Sequence, residues 1–175
     1  MNIIHKSIYI IKNMIIVNKS RVLKYKNLKF KCALGEAGIG KKREEGDNIT
    51  PKGSYKLLKL FYRSDRIPNF KTVLKKKRIN KKMGWCDDVN NKNYNKLIKL
   101  PSSFSHEKLF RKDNIYDLII PINYNTKKIV KGKGSAIFLH VAKKNYEPTR
   151  GCIALKKKDL ILLLKNIDNK KIKIN

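Results

Sequence analysis

The chain has 175 residues, enough for about one domain whose apolar core closes without disulfide or metal support. Its 43 Lys and Arg against 13 Asp and Glu give a formal net charge of +30, which favours an anionic partner. Only seven of the basic residues are arginine, and no arginine-rich or RNP-like aromatic segment is present, so nothing in the sequence points to specific reading of nucleic acid.

The lysines are spread along the chain beside abundant isoleucine and asparagine, as AT-rich codon usage produces. A solvated lysine surface and a salt-sensitive, unspecific attraction to an anionic polymer both stay open. Three cysteines, Cys32, Cys86 and Cys152, lack paired spacing. They argue against a disulfide framework, and no C-x-x-C or histidine-rich cluster points to zinc.

Residues 1–13 read as an N-terminal extension of uncertain role, and 14–175 as the domain. The extension is a poor secretory signal, because its apolar run is cut at Lys12-Asn13 and no small-x-small cleavage site follows. Met14 can serve as an alternative start. No uninterrupted apolar span of about eighteen residues exists, so no transmembrane helix is expected.

From Met14 to Ala33, short β-prone runs separated by Asn18 and Asn27 read as a hairpin or meander. Gly35 to Gly40 fits neither G-x-G-x-x-G nor the Walker spacing, and is expected to be a glycine-rich connection. Thr50-Pro51-Lys52-Gly53 is a turn signal, and Ser54 to Tyr62 alternates as a strand. The lysine run 75–82 reads as a solvated edge or loop. Trp85-Cys86 is expected to be a buried thiol beside a packed indole, with Asp87 and Asp88 capping or pairing with local lysines.

Phe104 to Asp113 has helix-compatible spacing with Ser103 or Ser105 as cap, and His106 within it reads as a structural hydrogen-bonder. Ile115 to Ile122 and Ser135 to Ala142 read as strands, the second delivering His140. Leu160, Leu163, Leu164 and Ile167 mark an amphipathic helix opened by Asp159, and Lys171 to Ile174 a last strand. The expected architecture is mainly β: one sandwich or barrel-like domain with two short helices.

Among the cysteines, Cys32 ends an apolar strand without a partner, and Cys86 has acidic neighbours that disfavour a thiolate. Cys152 follows Gly151 and lies two residues after Arg150. A nearby cation lowers a thiol pKa, and the glycine permits an unusual backbone angle that aims the Gly151 and Cys152 amides at an oxyanion. His140 is twelve residues earlier, at the end of its strand, with a loop long enough to fold back. By residue type alone, a nucleophile–base pair and a core histidine with a small buried cysteine are both admissible.

Ser135-Ala-Ile-Phe-Leu-His-Val-Ala142 followed by Pro148-Thr-Arg-Gly-Cys-Ile-Ala-Leu155 resembles the catalytic motif of the L,D-transpeptidase (YkuD-type) domain. The resemblance continues through Cys32-Ala-Leu-Gly35, Lys42-Arg-Glu, Gly46-Asp, Thr50-Pro-x-Gly53, Tyr62-Arg-Ser-Asp-Arg66, Gly84-Trp-Cys-Asp-Asp88, Tyr94-Asn95, Ser105-His-Glu and Arg111-x-Asp113. It implies a β-rich domain in the cell envelope or periplasm, acting on peptidoglycan stem peptides without metal or cofactor. Cys152 would be the nucleophile, His140 the base, and the Gly151 and Cys152 amides the oxyanion site.

Arg150 stands where many family members have a second histidine. With Thr149 and Tyr146 of the same loop, it is the candidate for substrate binding. Arg63, Arg66 and Arg111 either pair with Asp65, Glu107 or Asp113 or line the groove. Transfer to an amine, hydrolysis of the same stems, and a silent domain that binds wall polymer or nucleic acid are the readings to separate.

Overall fold

The computed structural model describes residues 13–175. The expectations for the N-terminal extension, apart from Asn13, lie outside the described residues.

Three short strands, β1 (Ile15–Asn18), β2 (Val22–Tyr25) and β3 (Leu28–Lys31), form the expected meander. Ile15, Val17, Leu23, Tyr25 and Phe30 turn inward, while the lysines between them face solvent, the two-residue period of a half-buried sheet. The first turn is built by Asn18, whose Oδ1 accepts the Val22 N–H at 3.2 Å. At the end of the chain, β15 (Lys171–Ile174) enters beside β1 in parallel and pairs on its other edge with β6 (Gly53–Lys56). The first and last segments of the domain are therefore neighbours in one sheet of order β3-β2-β1-β15-β6.

The second five-stranded sheet has β14 (Ile153–Leu155) at one edge, then β13 (Phe138–Val141), β12 (Leu118–Pro121), β7 (Leu60–Tyr62) and β8 (Lys76–Arg78). All four residues of β13 and of β12 are buried, because both faces of this sheet are covered. On one face Leu118, Ile120, Leu139, Val141, Ile153 and Leu155 join the inward side chains of the first sheet and of helix α1 (Lys157–Asn166) in the main core. On the other face, Phe61, Ile119 and Phe138 form a second cluster with Trp85 and Tyr116.

Trp85 comes from a smaller sheet in which β9 (Met83–Cys86) lies between β10 (Leu97–Lys99) and β11 (His106–Lys108). A minimal pair, β4 (Ile39–Gly40) with β5 (Thr50–Pro51), completes the strands.

The mainly β architecture holds, with local corrections. The helix expected over 104–113 is absent, since His106–Lys108 is the edge strand β11, pairing with Cys86, Trp85 and Gly84. The apolar spacing there reflects alternation around a strand and its turns, and cross-strand pairing outweighs the weak helix propensity. The only other helical segment among the described residues is a 3₁₀ turn at Lys144–Tyr146. The run Ser54 to Tyr62 divides into β6 and β7, which belong to different sheets.

Trp85 and Cys86 are buried as expected, and His106 Nδ1 lies 2.7 Å from the Phe104 carbonyl. Asp88 accepts the Asn90 N–H at 2.9 Å, which is turn capping.

Helix α1 separates the two kinds of surface clearly. Leu160, Leu163 and Leu164 are fully buried against the sheets, whereas Leu162 is 44% exposed. Leu163→Ala is expected to cost about 2–5 kcal/mol through lost burial and a residual cavity, and Leu162→Ala within about 0.5 kcal/mol. Urea unfolding midpoints of the two variants check this contrast.

Candidate active site

The parallel register of β13 and β14 sets Leu139 opposite Ile153 and His140 opposite Ala154. One residue back along both strands, Phe138 lies against Cys152, and its N–H donates to Cys152 Sγ at 3.3 Å. Side chains alternate along each strand, and paired residues share a face. Because Ile153, Leu155, Leu139 and Val141 point into the main core, Cys152, Phe138 and His140 all face the second cluster. The sequence-derived nucleophile and base are thus on one face of adjacent strands, offset by one strand repeat.

Both groups are biased toward the neutral form. Cys152 Sγ donates to the Ala136 carbonyl at 3.2 Å while accepting from Phe138. Burial pushes its thiol up to about 12, the Phe138 N–H opposes this, and the Glu107 carboxylate adds to it more strongly than Lys42 relieves it. His140 is buried, which takes its imidazole down to about 4 against the pull of the Val141 and Ile115 carbonyls toward the charged form. Its Nδ1 is 2.8 Å from the Val141 carbonyl oxygen, an acceptor only. The proton is therefore assigned to Nδ1, and Nε2 keeps the lone pair. No hydrogen bond joins Sγ to the imidazole among the described residues.

Gly151 has φ +118°, and a Cβ there would lie 2.8 Å from the Ile49 carbonyl oxygen. Only glycine fits both constraints, so the turn into Cys152 is held open by residue type. The two amides assigned to the oxyanion differ. The Gly151 N–H donates to Thr149 Oγ1 at 3.2 Å, and that hydroxyl donates to the Cys152 carbonyl at 2.6 Å. The Cys152 N–H has no partner among the described residues.

The three loop residues named from the sequence separate. Thr149 shapes the turn through its hydroxyl. Tyr146 is buried against Ala33 and Ala154, with the Lys31 and Lys156 ammonium groups 5.0 and 5.7 Å from its ring centroid. Arg150 is exposed, and the cation whose charge reaches the thiol is Lys42. The expectation that Arg150 lowers the thiol pKa is therefore corrected: the guanidinium stays in solvent, and the cost of burying a thiolate exceeds any local cation.

Lys42 was not singled out by type because lysine is everywhere in this chain. Its ammonium is buried and paired with Asp47, whose carboxylate also accepts the Arg43 N–H at 2.7 Å and the Ile49 N–H at 3.0 Å. A Cβ on Gly134 would collide with Lys42 Cε at 2.1 Å, so this loop packs directly on the segment that runs through Ala136 into β13. Asn95 completes the support: its Oδ1 accepts from Trp85 Nε1 at 3.0 Å and from the Ala136 N–H at 3.1 Å. Lys42, Gly134 and Asn95 fall inside or beside motifs visible in the sequence, but nothing in residue type assigned them to the thiol's surroundings.

Arg63, Arg66 and Arg111 are engaged in ion pairs, with Asp65 at 2.6 Å, Asp117 at 3.1 Å and Asp113 at 2.6 Å. Arg63 also stacks 3.7 Å over the Phe110 ring. None pairs with Glu107.

The sequence matches the L,D-transpeptidase catalytic domain (YkuD) over residues 12–174. The chain belongs to this family, and the β-rich fold described above is its fold. Among solved structures, the helical cell shape determining protein Pgp2 from Campylobacter jejuni aligns with a TM-score of 0.50 at 18% identity, over 93% of this chain and 46% of that one. Bd1075 of Bdellovibrio bacteriovorus aligns with a TM-score of 0.47 at 16% identity, over 94% of this chain and 48% of that one. The chain spans about half the length of these structures. No curated protein gives a significant match.

A neutral resting thiol has a direct kinetic signature. Alkylation of Cys152 by iodoacetamide is expected to be slow at pH 7 and to rise about tenfold per pH unit up to pH 10, without the plateau above pH 8–9 of an ordinary thiol. Cys152→Ala supplies the background from Cys32 and Cys86, both fully buried.

Proposed function

We propose that this chain is a cysteine-dependent L,D-transpeptidase acting on peptidoglycan stem peptides in the cell envelope. The observation that carries the reading is the placement of Cys152 and His140 on one face of adjacent strands, behind a turn only Gly151 can make. Family membership supplies the reaction class.

The stem tetrapeptide presents the carbonyl of its third residue, the L-centre of a diaminopimelate, to Sγ. The thiol leaves the Ala136 carbonyl by rotation about its side chain, and its proton passes to His140 Nε2 as the S–C bond forms. The Cys152 N–H holds the oxyanion; the Gly151 N–H joins it when Thr149 Oγ1 turns away. Collapse breaks the bond to the terminal D-alanine, whose nitrogen takes the proton from the imidazolium.

The thioester is then attacked by an amine of a second stem, which gives its proton to His140. The C–S bond breaks, and the thiolate recovers that proton. The Val141 carbonyl serves throughout by fixing the ring orientation and tautomer. Water in place of the amine gives hydrolysis through the same residues, and product analysis with defined muropeptides separates the two.

A neutral pair suits this chemistry in a buried site. Charge develops only as the substrate arrives, when the oxyanion and imidazolium form together, so no isolated ion need be held in the resting enzyme.

Incubation with a carbapenem, followed by intact mass, is expected to show one adduct that Cys152→Ala abolishes. Absence of the adduct, or its survival in that variant, overturns the reading. His140→Ala is expected to keep the fold and slow acylation by about 10²–10⁴-fold. Unchanged acylation removes His140 from the mechanism.

A further inference from the structure

Glu107 occupies an unusual place for an acid. It sits on the edge strand β11 opposite Trp85, on the side of the small sheet that packs over the catalytic face. Its one hydrogen bond among the described residues comes from the Tyr116 hydroxyl, which donates to Oε2 at 3.3 Å. No lysine or arginine forms a salt bridge with it among those residues, although bases outnumber acids 43 to 13 in this chain. Arg111 pairs with Asp113, lies 5.3 Å from the Tyr116 ring centroid, and reaches Glu107 only through its longer-range field.

The carboxylate is also adjacent to the reacting groups. Tyr116 packs edge-on against His140, with ring centroids 5.6 Å apart, and against Phe138 at 6.0 Å. Phe138 in turn donates its N–H to Cys152 Sγ. Glu107 is half-buried, so its carboxylate keeps access to solvent. A carboxylate has about four lone-pair sites, and here one protein donor takes one of them, leaving the others open to solvent or a ligand.

A negative charge here is unfavourable to thiolate formation, so its presence calls for a compensating cation. Asp47 and Asp117, whose side chains are buried, have such a cation from the protein itself, Lys42 for the first and Lys157 at 2.7 Å for the second. Glu107 forms no direct salt bridge among the described residues, and Arg111 acts on it only at longer range. That leaves room on its carboxylate for a cation supplied by a ligand.

We infer that Glu107, oriented by the Tyr116 hydroxyl, is a subsite for a primary ammonium group carried by the peptide substrate. This rests on the L,D-transpeptidase reading. Two amines in that reaction have the required chemistry: the side-chain ammonium of the diamino acid whose carbonyl is attacked, and the amine of the acceptor stem. A second, charged partner for the carboxylate would also offset its effect on Cys152 when, and only when, substrate is bound.

The test uses the full chain with defined tetrapeptide donors that carry either a free or an N-acetylated side-chain amine. The readout is the ratio of their acylation rates by intact mass, and in parallel the ratio of transfer to hydrolysis with a free-amine acceptor. Wild type is expected to prefer the free amine in at least one arm. Glu107→Gln is expected to reduce that preference by about ten- to a hundredfold, the scale of a charge-assisted hydrogen bond. Tyr116→Phe is expected to reduce it by less, because the carboxylate keeps its charge and loses only its orientation.

Loss in the donor arm assigns the subsite to the diamino acid side chain, and loss in the transfer arm to the acceptor. If Glu107→Gln slows free and acetylated donors equally and leaves transfer unchanged, the inference is overturned, and the residue acts only through Tyr116 and His140. Failure of wild type to acylate with any donor instead overturns the enzymatic reading, and this one with it.

Discussion

The parallel pairing of β13 with β14 is the constraint on which the rest depends. It joins two strands that are separated in sequence by the 3₁₀ turn and the Gly151 turn, and it sets the thiol against the Phe138 amide. A shift of that register by one residue would turn Cys152 into the main core and bring Ile153 to the cleft, because the side-chain period of a strand is two. The register is held from both faces: Ile153 and Leu155 are fully buried in the main core, while Phe138 packs against Trp85 and Tyr116. The face that carries Cys152 and His140 is thus a by-product of hydrophobic burial on two sides of one sheet.

Around that pair, polar support arrives from distant parts of the chain. The loop anchored by Asp47 rests on Gly134 and Gly151, where no side chain intervenes. Asn95 ties Trp85 to the Ala136 amide. The Ala136 carbonyl, which receives the thiol, is thereby fixed by two elements that contribute nothing to the chemistry. Precise placement of a reacting atom usually depends on such neighbours, because a misplacement of even one ångström costs reactivity.

The electrostatics of the site run against the charge of the whole molecule. The chain is strongly basic, yet the thiol is surrounded by apolar rings and a carboxylate, and its protonated form is favoured. Arginine, the scarcer cation, is used for structural pairs around Asp65, Asp113 and Asp117. The excess lysine charge is mostly a property of the solvated surface, where it can influence encounter with an anionic polymer without tuning the reacting groups.

Sequence alone determined the mainly β class, the meander at the start and the amphipathic helix, and it singled out Cys152 and His140 as the candidate pair. These are legible because they rest on local signals: two-residue alternation, 3.6-residue spacing, and a glycine beside a thiol in an ordered set of motifs. Only the tertiary structure decided that His106–Lys108 is an edge strand bearing Glu107, that Lys42 rather than Arg150 is the cation whose charge reaches the thiol, and that Tyr146 is a buried post. Each of these depends on pairing and burial between segments far apart in the chain. A residue's charge state and accessibility are set by what folds over it, and that information is absent from its neighbours in sequence.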